Sequence, residues 1–186
     1  ITPTTIDCLF VGDFYQHTFD TSNDGNVNKG LYNDYNKYKK KWSAIGVTID
    51  ETTLSNSYRC SPTTCQLVTQ QLHIQISSHW QDNTKIILID NQDDADTLFV
   101  DDEKIKLFYR EANKYSCYAE NWGKSKGLDK FQDVCIVLNQ TTLKRYNDNT
   151  LHQLSPSTRN KLYVAYTRAK RDIYYIPHVF LDKYKQ

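Results

Sequence analysis

Gly123, Lys124 and Ser125, in the stretch YAENWGKSKGLDKF, spell the end of a phosphate-binding P-loop. A working loop of the form GxxxxGKS needs its first glycine so that successive backbone N–H groups can curl around phosphates, with a helix N-terminus behind them. Here that position is Tyr118, whose Cβ and ring would obstruct the approach. The half-motif is therefore a poor P-loop taken alone, and its meaning must come from its surroundings. Two other groupings invite chemistry. The run DNQDDADTLFVDDEK, Asp90 to Lys104, offers carboxylates of the kind that hold a hard cation in a nuclease. Asp and Asn clustered between short apolar runs are also ordinary turn chemistry, and no partner acid and lysine stand at a fixed catalytic spacing. Cys60, Cys65, His73 and His79 are zinc-ligand types, but their spacing matches no common finger, so no metal site is expected.

The chain that must position such groups has 186 residues, enough to bury a sizeable core as one domain or slightly more. Its 23 basic and 22 acidic residues nearly cancel, which argues against the global basic field of a nucleic-acid coat protein and leaves room for a local groove. Five irregularly spaced cysteines without a CxxC read as reduced, mostly packed thiols, hence an intracellular, cytoplasmic protein. No signal peptide and no long apolar run stand out, so membrane insertion is not expected. The chain has no methionine and opens directly into an apolar stretch, as a fragment of something longer would.

Several elements are readable. Ile6 to Val11, closed by Gly12 and Asp13, reads as a buried strand, and TSNDGNVNKG as a polar loop. Leu31, Tyr35, Tyr38 and Trp42 stand at helical spacing, with the KYKKK lysines as a solvated face. Ser61 followed by Pro62 is a helix start, and Cys65, Val68, Leu72 and Ile76 continue as one stripe. KIILID, TLFV, IKLFY, a segment near Tyr115 to Glu120, and DVCIVL read as strands. STRNKLYVAYTRAKRDIYYI joins a helix, with Leu162, Ala165, Tyr166 and Ala169 on one face, to a strand ending near Ile176. Interleaved strands and helices point to an α/β sheet with helices on its faces.

Four stretches, VGDFYQ (Val11–Gln16), NSYRC (Asn56–Cys60), GKSKGL (Gly123–Leu128) and LYVAYTRAK (Leu162–Lys170), resemble motifs III, IV, V and VI of superfamily 1 helicases of the UvrD/Rep type, in order and at roughly the right positions. In that frame the GKS triplet belongs to motif V. The resemblance implies that Arg168 is the arginine finger and Arg59 a second γ-phosphate contact, a role suited to planar, permanently charged guanidinium groups. It implies that Tyr58 stacks on adenine, that Gln16 senses the γ-phosphate and couples it to domain movement, and that Asp13 positions that turn. Gly127 and Asp129 fall on the nucleotide side, Asp129 where the family has glutamate, in GLDKFQDVC rather than GLEFDVV. Ser125 and Lys126 would face the nucleic-acid backbone. His17 and Phe19 could stack on bases, although loop packing explains them as well.

The expectations follow. The fold is an α/β RecA-like, P-loop-NTPase-type sheet, mostly parallel and flanked by helices, without a P-loop of its own. Residues 1–25 are the end of a first RecA-like domain and residues 26–186 a compact second one, since the segment between Arg59 and Lys126 is too short for the large domain some relatives insert. The function is the C-terminal motor domain of an ATP-dependent DNA helicase or translocase. ATP and Mg bind in the complete protein only, because Walker motifs are expected before Ile1. Its partners are the first RecA-like domain and single-stranded DNA. The alternative is a non-catalytic, truncated helicase-like module that binds nucleic acid or a partner protein.

Overall fold

The computed structural model describes residues 8–17 and 30–186. Ile6, Asp7, Phe19 and most of the TSNDGNVNKG loop lie outside them. The strands are β1 (Asn56–Ser57), β2 (Ser77–Ser78), β3 (Ile86–Leu88), β4 (Ile105–Phe108), β5 (Ala119–Asn121), β6 (Val134–Leu138) and β7 (Ile173–Pro177); the helices are α1 (Tyr35–Ala44), α2 (Pro62–Leu72), α3 (Gln92–Val100), α4 (Gln140–Asn147) and α5 (Pro156–Tyr166). Short 3-10 turns connect several of them. Strands β3 to β7 form a five-stranded parallel sheet in the order β3-β7-β6-β4-β5, while β1 and β2 pair separately, also in parallel. This is the RecA-like α/β architecture expected.

A parallel sheet is covered on both faces, so its strands alternate between two cores. Leu107, Val134, Ile136, Leu138, Ile173 and Tyr175 share one with Val68 and Leu72 of α2 and Leu162 and Tyr166 of α5. Phe108, Cys135, Val137 and Ile176 share the other with Leu98 and Phe99 of α3 and Leu181 of the C-terminal 3-10 turn. Lys106 falls in β4 with its side chain buried. Its Nζ donates to the carbonyls of Asp101 (2.5 Å) and Lys104 (2.9 Å), and burial lowers its pKa.

Two expectations need correction. TLFV is the last turn of α3, not a strand. Asn91 caps that helix by accepting from the Asp94 N–H at 2.9 Å, and Asp93 and Asp94 sit in its first turn, where the helix dipole favours carboxylates. The acidic run is thus a helix start whose Ala95, Leu98 and Phe99 face the core at i, i+3 and i+4. Residues 8–13 are not assigned to a strand, although the apolar run there reads as one. Boundaries also moved at α1 and α2. Leu31 belongs to a 3-10 turn before α1, and α2 stops at Leu72 because His73 turns left-handed at φ 54°, leaving Ile76 beyond it.

The cap expected of Ser61 is present, its Oγ accepting from the Thr64 N–H at 3.1 Å with Pro62 following. In α1 the aromatic stripe packs against Phe10, Phe14 and Tyr15, while Lys37, Lys40 and Lys41 are exposed. No helix among the described residues is long and apolar enough to cross a membrane.

Candidate functional site

Arg59 is positioned by a turn built on one hydroxyl. Ser57, at the end of β1, accepts from the N–H groups of Arg59 (3.2 Å) and Cys60 (3.0 Å), which fixes the turn that carries Arg59. Its Nε donates to Asp129 Oδ1 at 2.7 Å and its Nη1 to the Thr167 carbonyl at 3.2 Å. Two of the four quoted stretches, and Asp129 directly after a third, therefore meet through this one guanidinium. Lys170 adds a second cation 3.6 Å from the same carboxylate oxygen. The Arg59 hydrogen bond and charge, then the Lys170 charge, hold Asp129 below the usual carboxylate range.

Arg168 is placed differently from a free finger. Its side chain turns into the domain, where Nε donates to the Val164 carbonyl (3.2 Å), Nη1 to the Leu128 carbonyl (3.0 Å) and Nη2 to Thr167 Oγ1 (3.4 Å). The residue is 1% exposed. Burial, and then the neighbouring charge of Arg59, lower its pKa to about 10, so it stays cationic at neutral pH. The two arginines expected to work as a pair are neighbours, with Arg59 outermost.

The turn Phe14–Gln16 docks on α5. Asp13 caps it by accepting from the Tyr15 N–H (2.9 Å), and its other oxygen accepts from Gln16 Nε2 (2.9 Å) and the Tyr163 hydroxyl (2.9 Å). Asn160 Nδ2 donates to the His17 carbonyl at 3.1 Å. Asp13 thus does position the turn. Gln16, as placed, is held by Asp13.

Tyr58 and Arg59 line an open cavity of about 770 Å³ together with Trp80, Asp129, Lys170 and Arg171. These residues lie around the N-terminal ends of β3, β6 and β7. A second cavity, of about 690 Å³, opens beyond the C-terminal ends of β4 and β5. Open α/β sheets bind ligands at that end. Arg110, Lys124, Lys126 and Lys161 line it, with Tyr109 and Gly127.

Gly123–Ser125 is a single 3-10 turn, and Lys126 leaves it with ψ 134°, so no helix N-terminus stands behind the GKS triplet. A P-loop is thereby excluded here on geometry as well as on Tyr118. Ser125 is fully buried and its Oγ donates to the Trp122 carbonyl at 2.6 Å, so its hydroxyl is not presented to a nucleic acid. Lys126 does line the cationic cavity, beside Lys124. Gly127 adopts φ +84°, a left-handed turn that glycine makes without Cβ strain. It belongs with the cationic cavity; Asp129, two residues on, belongs with the other.

Lys170, Arg171, Trp80, Arg110 and Lys161 were not singled out from sequence. The first two directly follow the TRA triplet, a signal that was available. The others are brought in only by the fold. Among the described residues no group of His, Cys, Asp and Glu is placed to hold a metal ion, so a Mg ion finds no fitting ligand set there.

A family profile described as the viral superfamily 1 RNA helicase core domain matches residues 6–177. Among solved structures, the crystal structure of the PRRSV nsp10 helicase superposes with a TM-score of 0.41 at 17% identity, over 70% of this chain and 25% of that one. The chain thus spans about a quarter of that helicase's length. No curated protein sequence matches the chain. The profile supports the superfamily that the four stretches resemble, and it does so through the viral RNA branch, not the UvrD/Rep type. The chain belongs to the viral superfamily 1 RNA helicase core domain family.

Proposed function

We propose that the chain is the second, C-terminal motor domain of an ATP-driven superfamily 1 helicase or translocase, with residues 1–25 ending the first RecA-like domain. The observation that carries this reading is Arg59, whose guanidinium ties the NSYRC turn to Asp129, directly after the GKSKGL segment, and to Thr167 of the TRA segment at the mouth of a cation-lined cavity. Phosphoryl transfer places charge on the γ-phosphate oxygens, and stabilising that charge is the work of guanidinium groups. In this reading Arg59 and Lys170 meet the phosphates first. Arg168 reaches them by exchanging its carbonyl partners for phosphate oxygens, and Tyr58 stacks on the base. Gln16 reports the γ-phosphate to α5 through Asp13 and Tyr163. Mg and the phosphate-cradling loop would belong to the first RecA-like domain.

The second cavity fits the nucleic-acid track, where Arg110, Lys124 and Lys126 would neutralise successive phosphates. We take RNA as that track, following the description of the family; single-stranded DNA, implied by the UvrD/Rep resemblance, is the competing outcome. The coding sequence upstream of Ile1 tests the reading: a GxxxxGK[ST] loop followed by an acidic Walker B motif is expected there. If both are absent, the chain is a non-catalytic helicase-like module. Binding of the chain to single-stranded RNA and DNA at two salt concentrations then separates the tracks, with tighter, salt-sensitive RNA binding expected.

A further inference from the structure

Two large aromatic side chains beside Arg59 are exposed yet pinned. Tyr58 is 70% exposed and Trp80 52%. The Trp80 indole Nε1 donates to the Tyr58 carbonyl at 2.7 Å, and its backbone N–H to Ser78 Oγ at 2.9 Å. The His79 N–H donates to the Ser57 carbonyl at 2.9 Å, extending the β1–β2 ladder. The His79 ring lies 4.4 Å from the Tyr58 ring, tilted 30°, and 5.7 Å from the Trp80 ring, edge-on. The result is an aromatic wall with its open side on the cavity. Exposing so much aromatic surface while ordering it costs free energy that core packing does not return, and flat aromatic faces of this kind are stacking surfaces for bases.

The same cavity is polar elsewhere. Arg59, Lys170 and Arg171 line it and supply cations for phosphate groups, while Asp82 and Asn83 also line it and make no side-chain hydrogen bond among the described residues. A carboxylate offers only acceptors and an amide offers both kinds, which suits the amino-bearing edge of a purine.

We propose that Trp80, supported by His79 and Tyr58, is the base-positioning residue of this cavity and gives it a preference for purine nucleotides, whose two fused rings cover more of the wall than a pyrimidine does. The inference rests on the nucleotide reading of the cavity given above and goes beyond it. Tyr58 alone would stack any base. The added indole makes the wall long enough to reward the larger ring system, with Asp82 and Asn83 at the base edge.

The test is isothermal titration calorimetry of the protein that carries this chain together with its P-loop domain, with ATP, UTP and inorganic tripolyphosphate as ligands. ATP is expected to bind more tightly than UTP and than tripolyphosphate. Trp80→Ala should weaken ATP binding by about tenfold, within the range of base–aromatic stacking. It should also abolish the preference over UTP and leave tripolyphosphate unchanged, and Trp80→Phe should restore most of the ATP affinity. Arg59→Ala should weaken all three ligands. ATP affinity unaffected by Trp80→Ala, or an equal loss for ATP and tripolyphosphate, overturns the base wall. If tripolyphosphate and ATP bind equally well, only the base wall fails. If neither binds, the nucleotide reading of the cavity fails too. Loss of single-stranded oligonucleotide binding in Trp80→Ala, with ATP binding unchanged, would overturn the proposal in favour of a polynucleotide surface.

Discussion

Replacing Arg168 by alanine should destabilise the fold itself, before any question of catalysis arises. The guanidinium is buried and gives hydrogen bonds to Val164, Leu128 and Thr167. Val164 keeps a partner after the substitution, because Thr167 Oγ1 also donates to its carbonyl at 3.1 Å. The partly buried Leu128 carbonyl loses its side-chain donor, a loss of about 1.5–3 kcal/mol for a hydrogen bond from a charged group. The buried aliphatic stem contributes a further ~2 kcal/mol at ~0.8 kcal/mol per methylene. Relief of the cost of burying the charge offsets part of this, so the net loss should be about 2–4 kcal/mol. With an m-value of about 2 kcal/mol/M, the urea midpoint followed by circular dichroism should fall by about 1–2 M. Arg168→Met keeps the stem and should lose about half as much. A midpoint within ~0.25 M of wild type for Arg168→Ala, the behaviour of a surface residue, would refute the buried placement and its hydrogen bonds.

Other predictions concern neighbouring groups. Because Asp129 has a depressed folded pKa, its contribution to stability is present above the unfolded value of about 3.9 and is lost as the pH falls through the folded one. Its carboxyl titration by NMR should have a midpoint below that value and move up toward it in Arg59→Ala; an unmoved midpoint contradicts the pairing. Gly127→Ala should cost about 1 kcal/mol from its left-handed backbone alone, since nothing lies within 4 Å of an added Cβ, and a much larger fall in urea midpoint would contradict that. Burial pushes the Cys135 thiol up to about 12. A thiol reagent at pH 8 should therefore label exposed Cys8 quickly and Cys135 only on unfolding; rapid native labelling of Cys135 would contradict its burial.

The elements most legible in the sequence are those whose local signals agree with their tertiary setting. Ser61–Pro62 begins α2 as read, and DVCIVL and IKLFY are interior strands, largely apolar as suits a sheet covered on both faces. TLFV misleads because four apolar or β-branched residues look the same in a strand and in the last turn of a helix. The Asn91 cap and the Ala95, Leu98, Phe99 spacing carried the better signal. At the site, the motif stretches place Arg59, Asp129 and the TRA segment together, but not which arginine faces the cavity. A charged residue reads as exposed, and only the tertiary placement of the Leu128 carbonyl, beside the local one of Val164, gives the buried Arg168 side chain its partners. Ser125 misleads for the same reason: a serine in a polar turn reads as available, whereas its hydroxyl closes that turn from inside. Trp80 has no periodic neighbour to mark it, and it gains meaning only when the β1–β2 pairing brings it beside Tyr58.

In the proposed function, phosphate chemistry belongs to the arginines and not to the GKS triplet. The most direct measurement is the single-turnover rate of ATP hydrolysis, at saturating ATP, by the protein that carries this chain together with its P-loop domain. Arg168→Lys keeps the charge but not the planar fork, so its rate should be lower by roughly 10³ or more, with Lys124→Ala within a few-fold of wild type. A near-normal rate for Arg168→Lys beside abolished hydrolysis in Lys124→Ala would contradict that assignment.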